Sequence, residues 1–430
     1  MDKRRVIIRH SLASIIALAV FGGSRFLYNI VVARRYGVEV LGEVNSLISQ
    51  AFLLAGFLAF FSVGLGKFTA EFLGRGEEEK IKSITGVSYA FPLLGLLLVP
   101  LNFQLAVLSV LRALQLTFRS FIYGLHRGEI YAYAVLLGFL GFLVGFLDGV
   151  LMPYYLLLGV ISGFGLAYSM KFLGKPRVEE VKGLVKYSSW AFLGGIAGIF
   201  LIQAPYFLTE KLAGSRVAGA VSAMLSTSFM LSYMPQVLQS AIVPLYAFDH
   251  GRGRREEVRA LAEEATTLLS LLTALAVFLM LLLSNLLGNI FRIEFEWPFL
   301  LSLLAVEVYV VFNPLINVLS ATEYIKRSAI YSLIGALVSL LLWLPLIPRI
   351  HETGTFLGLL AGYSIIFLLV LAETRRRFGV KIASIRPFVL AVPLQAISIK
   401  LPVLGLIAYL LIEYKDLRRA VRLFLRGIRS

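Results

Sequence analysis

Apolar runs long enough to cross a bilayer recur along the whole of this chain, and they leave it few folds to choose from. LLSLLTALAVFLMLLL, Leu268 to Leu283, is representative. As helices, runs of about 18 residues span the ~30 Å of hydrocarbon. There every backbone N–H and C=O must be bonded internally, which restricts spanning structures to helices and closed barrels. Alternating strand patterns are absent, which argues against a barrel. Charged residues make up 15% of the 430 positions, against roughly a quarter in a soluble domain. The chain reads as an all-α polytopic membrane protein.

Fourteen apolar segments can be marked, at roughly 8–33, 41–66, 83–101, 104–124, 130–148, 151–170, 187–208, 217–246, 265–290, 297–320, 328–348, 354–372, 384–398 and 400–414. The basic start, MDKRRVIIRH, runs into the first segment with no small-residue cleavage site, so it reads as a retained span. With the N-terminus inside, roughly three quarters of the 41 Lys and Arg residues fall in alternate connections. The opposite side holds only Arg34, Arg35, Lys211, Arg216, Arg292, Arg349 and Lys400. This bias predicts a multi-pass protein of the cell membrane with both termini cytoplasmic. It also accounts for the net charge of +16 without nucleic acid, since Lys and Arg favour an anionic leaflet. The last two segments are short and interrupted by Pro387, Pro393 and Pro402.

Two connections share a tripeptide: GRGEEEK (Gly74 to Lys80) and GRGRREE (Gly251 to Glu257). They lie 177 positions apart, and the same shift superposes Gly37 on Gly214, Val40 on Val217, Gly42 on Gly219, Val44 on Val221 and Ser49 on Ser226. It also superposes Phe52 on Phe229, Leu54 on Leu231, Ala70 on Ala247 and Glu79 on Glu256. Apolar bias alone does not produce the matching glycines, arginine and glutamate of a polar loop. The offset covers six spans, an even number, so the duplicated halves share an orientation. The expectation is two six-helix lobes related by a parallel pseudo-two-fold, residues 1–174 and 175–378. A short helical pair and basic tail, 379–430, complete about 14 spans. Carriers with such halves hold their substrate near the midplane, at the interface of the repeats.

Polar residues inside spans mark what that interface could bind. Ser109, Arg112, Gln115, Arg119 and His126 recur on one face of the fourth segment. Two guanidiniums on one face suit a phosphate or pyrophosphate; the bland reading is that Arg119 reaches the headgroups. The first segment carries Ser14, Arg25 and Asn29. Arg25 has three readings: snorkelling to the interface, pairing with Glu307, or lining a cavity. The eighth segment bears Ser222, Ser226, Tyr233, Gln236 and Ser240 on one face, and Asn45 and Ser49 of the second segment are the repeat mates of Ser222 and Ser226. Such a stripe either binds sugar and headgroups or stitches helices. Glu307 is the one acidic residue deep in a span, an ion-coupling candidate or the partner of an arginine; Pro314 beyond it predicts a kink or unwinding.

Several chemistries lack their residues. Cysteine is absent, which removes disulfides and thiolate sites. His10, His126, His250 and His351 are scattered, and GLGKFT (Gly64 to Thr69) lacks the first glycine and the hydroxyl of a phosphate loop. No cofactor, metal or catalytic residue is expected. Asp148, Asp249 and Glu71 do not cluster as a membrane glycosyltransferase would need.

The run from Ser24 to Lys80, with ARRYG at Ala33 to Gly37, Gly42 opening the second span and FTAE at Phe68 to Glu71, resembles polysaccharide-export proteins of the MOP exporter superfamily. FRSFIYGLHRGEIYAYAVLLG, Phe118 to Gly138, resembles the junction of that family's fourth and fifth helices. This is the branch of Wzx-type O-antigen flippases, with MurJ-type lipid II flippases and MATE antiporters as relatives. The resemblance implies a monomeric flippase that moves a lipid-linked oligosaccharide from the cytoplasmic to the outer leaflet by alternating access. Membrane lipids, and glycan-assembly enzymes at the membrane, would be its partners. Arg25 and Arg112, with Arg119, would hold the phosphate; Asn29, Asn45, Ser49, Gln115, Ser226 and Gln236 would line the polar cavity. The alternative is a MATE-type cation-coupled multidrug or metabolite antiporter, for which Glu307 would be the acidic site. MATE relatives usually carry an acid in the first helix, where this chain has Arg25, and that favours an anionic substrate.

Overall fold

The structure, a computed structural model, describes residues 3–418. Ser14 and Ser240 side chains and the basic tail beyond Arg418 lie outside the description. The described chain is helical, with eleven helices long and apolar enough to cross a membrane. It divides into two compact units, Met1–Ser222 and Ala223–Ser430.

The first unit contains α1 (Lys3–Arg35), α2 (Val38–Leu58), α3 (Ser62–Arg75), α4 (Glu78–Ala90), α5 (Phe103–Gly124), α6 (Gly128–Gly145), α7 (Met152–Ser169) and α8 (Val178–Ala213). The sequence suggests one segment over 41–66, but the chain breaks between α2 and α3. Phe60 and Phe61 pack there against Phe91, and Phe60 also against Phe192. Four rings meeting at one point hold a bend that hydropathy cannot register. Leu101 and Leu147 are more than 80% exposed. Such a surface would aggregate in water but is ordinary against lipid.

The second unit takes over within α9 (Ser215–Ser228). It continues through α10 (Tyr233–Gly251), α11 (Arg255–Leu282), α12 (Ser284–Phe291), α13 (Trp297–Ala321), α14 (Ile325–Phe378), α15 (Arg386–Ser398) and α16 (Pro402–Ile412). The eighth apolar segment is interrupted by a 3₁₀ turn, Phe229–Ser232, where Ser232 Oγ donates to the Phe229 carbonyl at 2.6 Å. α13 runs through Pro314 without unwinding. Inside hydrocarbon the freed carbonyl is tolerated where neighbouring helices pack. α14 has 54 residues, too long to cross once, and leaves helical geometry at Ile350 and His351, where φ at His351 is 50°. Its two arms fold back on one another: Ser339 Oγ donates to the Gly358 carbonyl at 2.9 Å, and Trp343 Nε1 to the Thr355 carbonyl at 2.8 Å. At the far end of the hairpin Arg327 (2.6 Å) and Arg377 (3.0 Å) both bind Glu373.

Glycines 177 positions apart share backbone geometry. Gly37 and Gly214 have φ, ψ of 96°, 168° and 90°, 167°. Gly76 and Gly253, one in each shared tripeptide, have φ of 73° and 72°. Gly76 is the left-handed cap of α3, a conformation glycine adopts without steric penalty.

Candidate functional site

Arg25, Arg112, Gln115 and Arg119, all expected site residues, come together inside the first unit, with Ser49 beside Arg25. Arg112, half-buried on α5, donates from Nη1 to Gln115 Oε1 at 2.7 Å. Its guanidinium lies 4.6 Å from the centre of the Phe52 ring on α2 and 5.3 Å from Phe21 on α1. Gln115, buried, hydrogen-bonds the Tyr131 hydroxyl with its amide, so it is fixed from both ends. Arg25 on α1 lies 4.4 Å from the Tyr206 ring centre on α8, and its Nη2 donates to Ser49 Oγ at 3.5 Å. Arg119 stands two turns along α5 from Arg112, with the Tyr123 ring 5.9 Å away. Arg25 and Arg119 both lie within electrostatic range of Arg112.

Aromatic faces attract cations by about 0.5–2 kcal/mol each but cancel no charge. Among the described residues no carboxylate lies within ion-pair distance of Arg112 or Arg119. Three like charges near one another in an apolar interior are unfavourable unless an anion joins them. The aromatic supports Phe21, Phe52, Tyr131 and Tyr206 escape a reading of the sequence, because an aromatic in a span looks like any other lipid-facing or core residue.

A cavity of about 560 Å³ adjoins this cluster, walled by the end of α2, α3, the later turns of α5 and the middle turns of α8. Arg119 is the charged side chain in its wall. Ser62, Ser120 and Tyr123 supply hydroxyls, and a Cβ at Gly195 would meet nothing within 4 Å. Arg25, Arg112 and Gln115 are not in its wall.

The expected polar lining is engaged in bonds between and within helices. Asn29 Nδ2 donates to the Ser222 carbonyl at 3.3 Å, and Asn45 Nδ2 donates to Asn29 Oδ1 at 3.0 Å and to the Leu41 carbonyl at 3.0 Å. One asparagine of α1 thus joins position 45 to position 222, 177 further on. Both asparagines and Ser49 are buried.

In the second unit Ser226 Oγ donates to the Ala223 carbonyl at 3.0 Å, and Gln236 Nε2 to Ser232 Oγ at 3.5 Å. Gln239, Asn317 and Asn313 form a chain from α10 to α13, with donor–acceptor distances of 3.2 and 2.8 Å. Glu307, 0% exposed, accepts from Gln395 Nε2 of α15 at 3.2 Å. Its hydrogen-bond partner is thus an amide of the C-terminal helix pair, and Arg25 takes Ser49 and Tyr206. Among the described residues no group of three or more His, Asp and Glu could hold a metal ion.

No protein-family model matches the sequence, and no curated protein does. Solved structures do share the fold. A structure described as the lipid II flippase MurJ in an inward closed conformation aligns with a TM-score of 0.67 at 13% identity, covering 98% of this chain and 100% of that one. The MATE multidrug transporter DinF-BH aligns at 0.61 and 14%, covering 88% and 98%. An inward-facing multidrug resistance MATE family transporter of the MOP superfamily aligns at 0.59 and 13%, covering 86% and 94%. At these identities the likeness is one of fold: the chain has the helical membrane fold of MurJ and MATE transporters.

Proposed function

We propose that the chain is a secondary carrier, not an enzyme, and that it moves a lipid-linked oligosaccharide across the cell membrane by alternating access. The observation that carries this reading is the group Arg25, Arg112 and Arg119. Arg25 and Arg119 each lie within electrostatic range of Arg112, among the described residues no carboxylate pairs with Arg112 or Arg119, and Arg119 stands in the wall of a mostly apolar cavity. A phosphate or pyrophosphate supplies the missing charge and accepts forked hydrogen bonds, and an apolar wall suits the lipid chain that carries it. Two duplicated lobes, 1–174 and 175–378, followed by the short pair α15–α16 as the last of about 14 spans, fit rocking around a fixed site. The matched glycine conformations 177 positions apart support that duplication. On the charge bias, with both termini cytoplasmic, the walls that α3 and the end of α5 give the cavity lie toward the cytoplasmic side.

A second reading, a cation-coupled antiporter of small molecules, draws on the fold likeness to several MATE transporters and on the buried Glu307. The likeness leans toward it, whereas the arginines oppose an organic cation. Reconstituted vesicles separate the two. The expected result is translocation of a fluorescent polyprenyl-pyrophosphate oligosaccharide and no uptake of a lipophilic cationic dye. The reverse pattern sinks the anion reading.

The cavity makes a further prediction. Gly195 is in its wall, and a Cβ placed there meets nothing within 4 Å. Gly195→Trp should fill the space without disturbing packing. Translocation is expected to fall at least about tenfold, equivalent to ~1.4 kcal/mol of lost binding, with an unchanged unfolding midpoint. Undiminished transport would place the substrate path elsewhere.

A further inference from the structure

Glu307 lies in the middle of α13 with its carboxyl group wholly buried. Gln395 Nε2 donates to Glu307 Oε1 at 3.2 Å, which uses one polar atom of each side chain. The other atom of each, Glu307 Oε2 and Gln395 Oε1, is buried with no partner. With an ionised carboxylate these two atoms are both acceptors. An uncompensated charge then sits in the interior beside a carbonyl oxygen that no donor reaches. Either defect alone costs kilocalories.

A single proton removes both defects. Placed on Glu307 Oε2, it makes an O–H that donates to Gln395 Oε1 while the amide continues to donate to Glu307 Oε1. Acid and amide then form a ring closed by two hydrogen bonds. The geometry points to a proton-binding site made by Glu307 of α13 and Gln395 of α15, which locks the C-terminal helix pair onto α13 when occupied and releases it when empty.

The surroundings favour the neutral form. On the C-terminal pair, Tyr409 of α16 is the ionisable group within electrostatic range of Glu307. One turn on, Glu413 is paired with Arg386 at 3.6 Å, with Asp416 beyond it. The ionisable residues of α11 are confined to its first turns, Arg255 to Glu264, and α10 carries Tyr233 at its start, Tyr246 and, near its end, Asp249 and His250. On the α14 side Tyr363 packs against Tyr309, two residues along α13 and so on the opposite face. None of these groups brings a positive charge to Glu307. The helices around the pair meet through Ala274, Phe278, Ala391 and Tyr409, packed with Leu275, Leu394 and Leu406. When the proton leaves for water, the carboxylate must be hydrated, and α15 has to move for water to enter.

This inference does not depend on which substrate the carrier moves. Its first test is infrared difference spectroscopy on the purified full chain at neutral pH. The wild type minus Glu307→Gln spectrum should contain the C=O stretch of a protonated carboxylic acid. Gln395→Leu should shift that band to higher frequency, because the acid loses its acceptor. Glu307→Gln restores a ring between two amides and should unfold at the wild-type temperature. A carboxylate signal in place of the acid band, or a band indifferent to Gln395→Leu, overturns the proposal. In vesicles, Glu307→Gln should abolish any response of transport to an imposed pH gradient; an undiminished response overturns the coupling.

Discussion

Leucine at Gly42 or at Gly219 should pry α2 from α9, destabilise the protein by about 3 kcal/mol and stop transport. A Cβ at Gly42 would strike the Ser215 carbonyl and the Gly219 amide, and a Cβ at Gly219 would strike the Val38 carbonyl. The contact is reciprocal: positions 38 and 215, like 42 and 219, are 177 apart, so each side of the crossing repeats the other. Such reciprocity is what a duplication about a two-fold axis would produce. Small residues permit such backbone approach, and in a membrane close packing is a main source of helix association. Backbone atoms on the far side cannot rotate away as a flexible side chain would, which places the penalty at the upper end for overpacking. Gly159→Ala supplies the control, since a Cβ there meets nothing within 4 Å. In the helix interior that change should be neutral or stabilise by about 0.5–1 kcal/mol. Thermal unfolding in detergent, followed by transport in vesicles, checks both. Wild-type stability and transport in Gly42→Leu would show that the helices part here at no expense.

The spans were legible in the sequence because hydropathy reports directly on the solvent a segment faces. The segments expected at 104–124 and 297–320 appear as α5, Phe103–Gly124, and α13, Trp297–Ala321. The two arms of α14 were legible as separate runs at 328–348 and 354–372, since Arg349, His351 and Glu352 interrupt the apolar pattern. The bend after Leu58 was not, because it rests on rings that are far apart in sequence. The site divides in the same way. Spacing alone placed Arg112, Gln115 and Arg119 on one face of α5. It could not tell that Gln115 is taken up by Arg112 and Tyr131, or that Asn29 and Asn45 bond to each other. A polar residue in a span announces that it has a partner, but periodicity does not say whether the partner is another helix or a ligand. Gln395 illustrates the limit, since only folding brings it to Glu307, 88 positions earlier.

On the proposed reading, removing Arg25 and Arg112 together should abolish movement of a pyrophosphate-linked glycan while changing the protein's stability little. A hydrogen bond to a charged group contributes about 1.5–3 kcal/mol, so each single alanine should lower apparent affinity about 10- to 100-fold. If both arginines grip one phosphate, the double variant should fall short of the product of the singles, because neighbours that share a partner do not act additively. Arg112→Lys should recover little: an ammonium keeps the charge but has neither the fork nor the planar face that lies over Phe52 and Phe21. Stability separates this account from a structural one. Without a bound anion the arginines repel one another, which offsets part of what Arg25 gains from Ser49 and Tyr206 and Arg112 from Gln115, so alanine at either position should move the unfolding midpoint little. Adding inorganic pyrophosphate should raise that midpoint in the wild type and leave the double variant unmoved. Full export by Arg25→Ala, Arg112→Ala would end the assignment. A double variant that loses stability in the absence of any anion would make the pair a brace between α1, α2, α5 and α8 and leave the substrate's charge to be sought elsewhere.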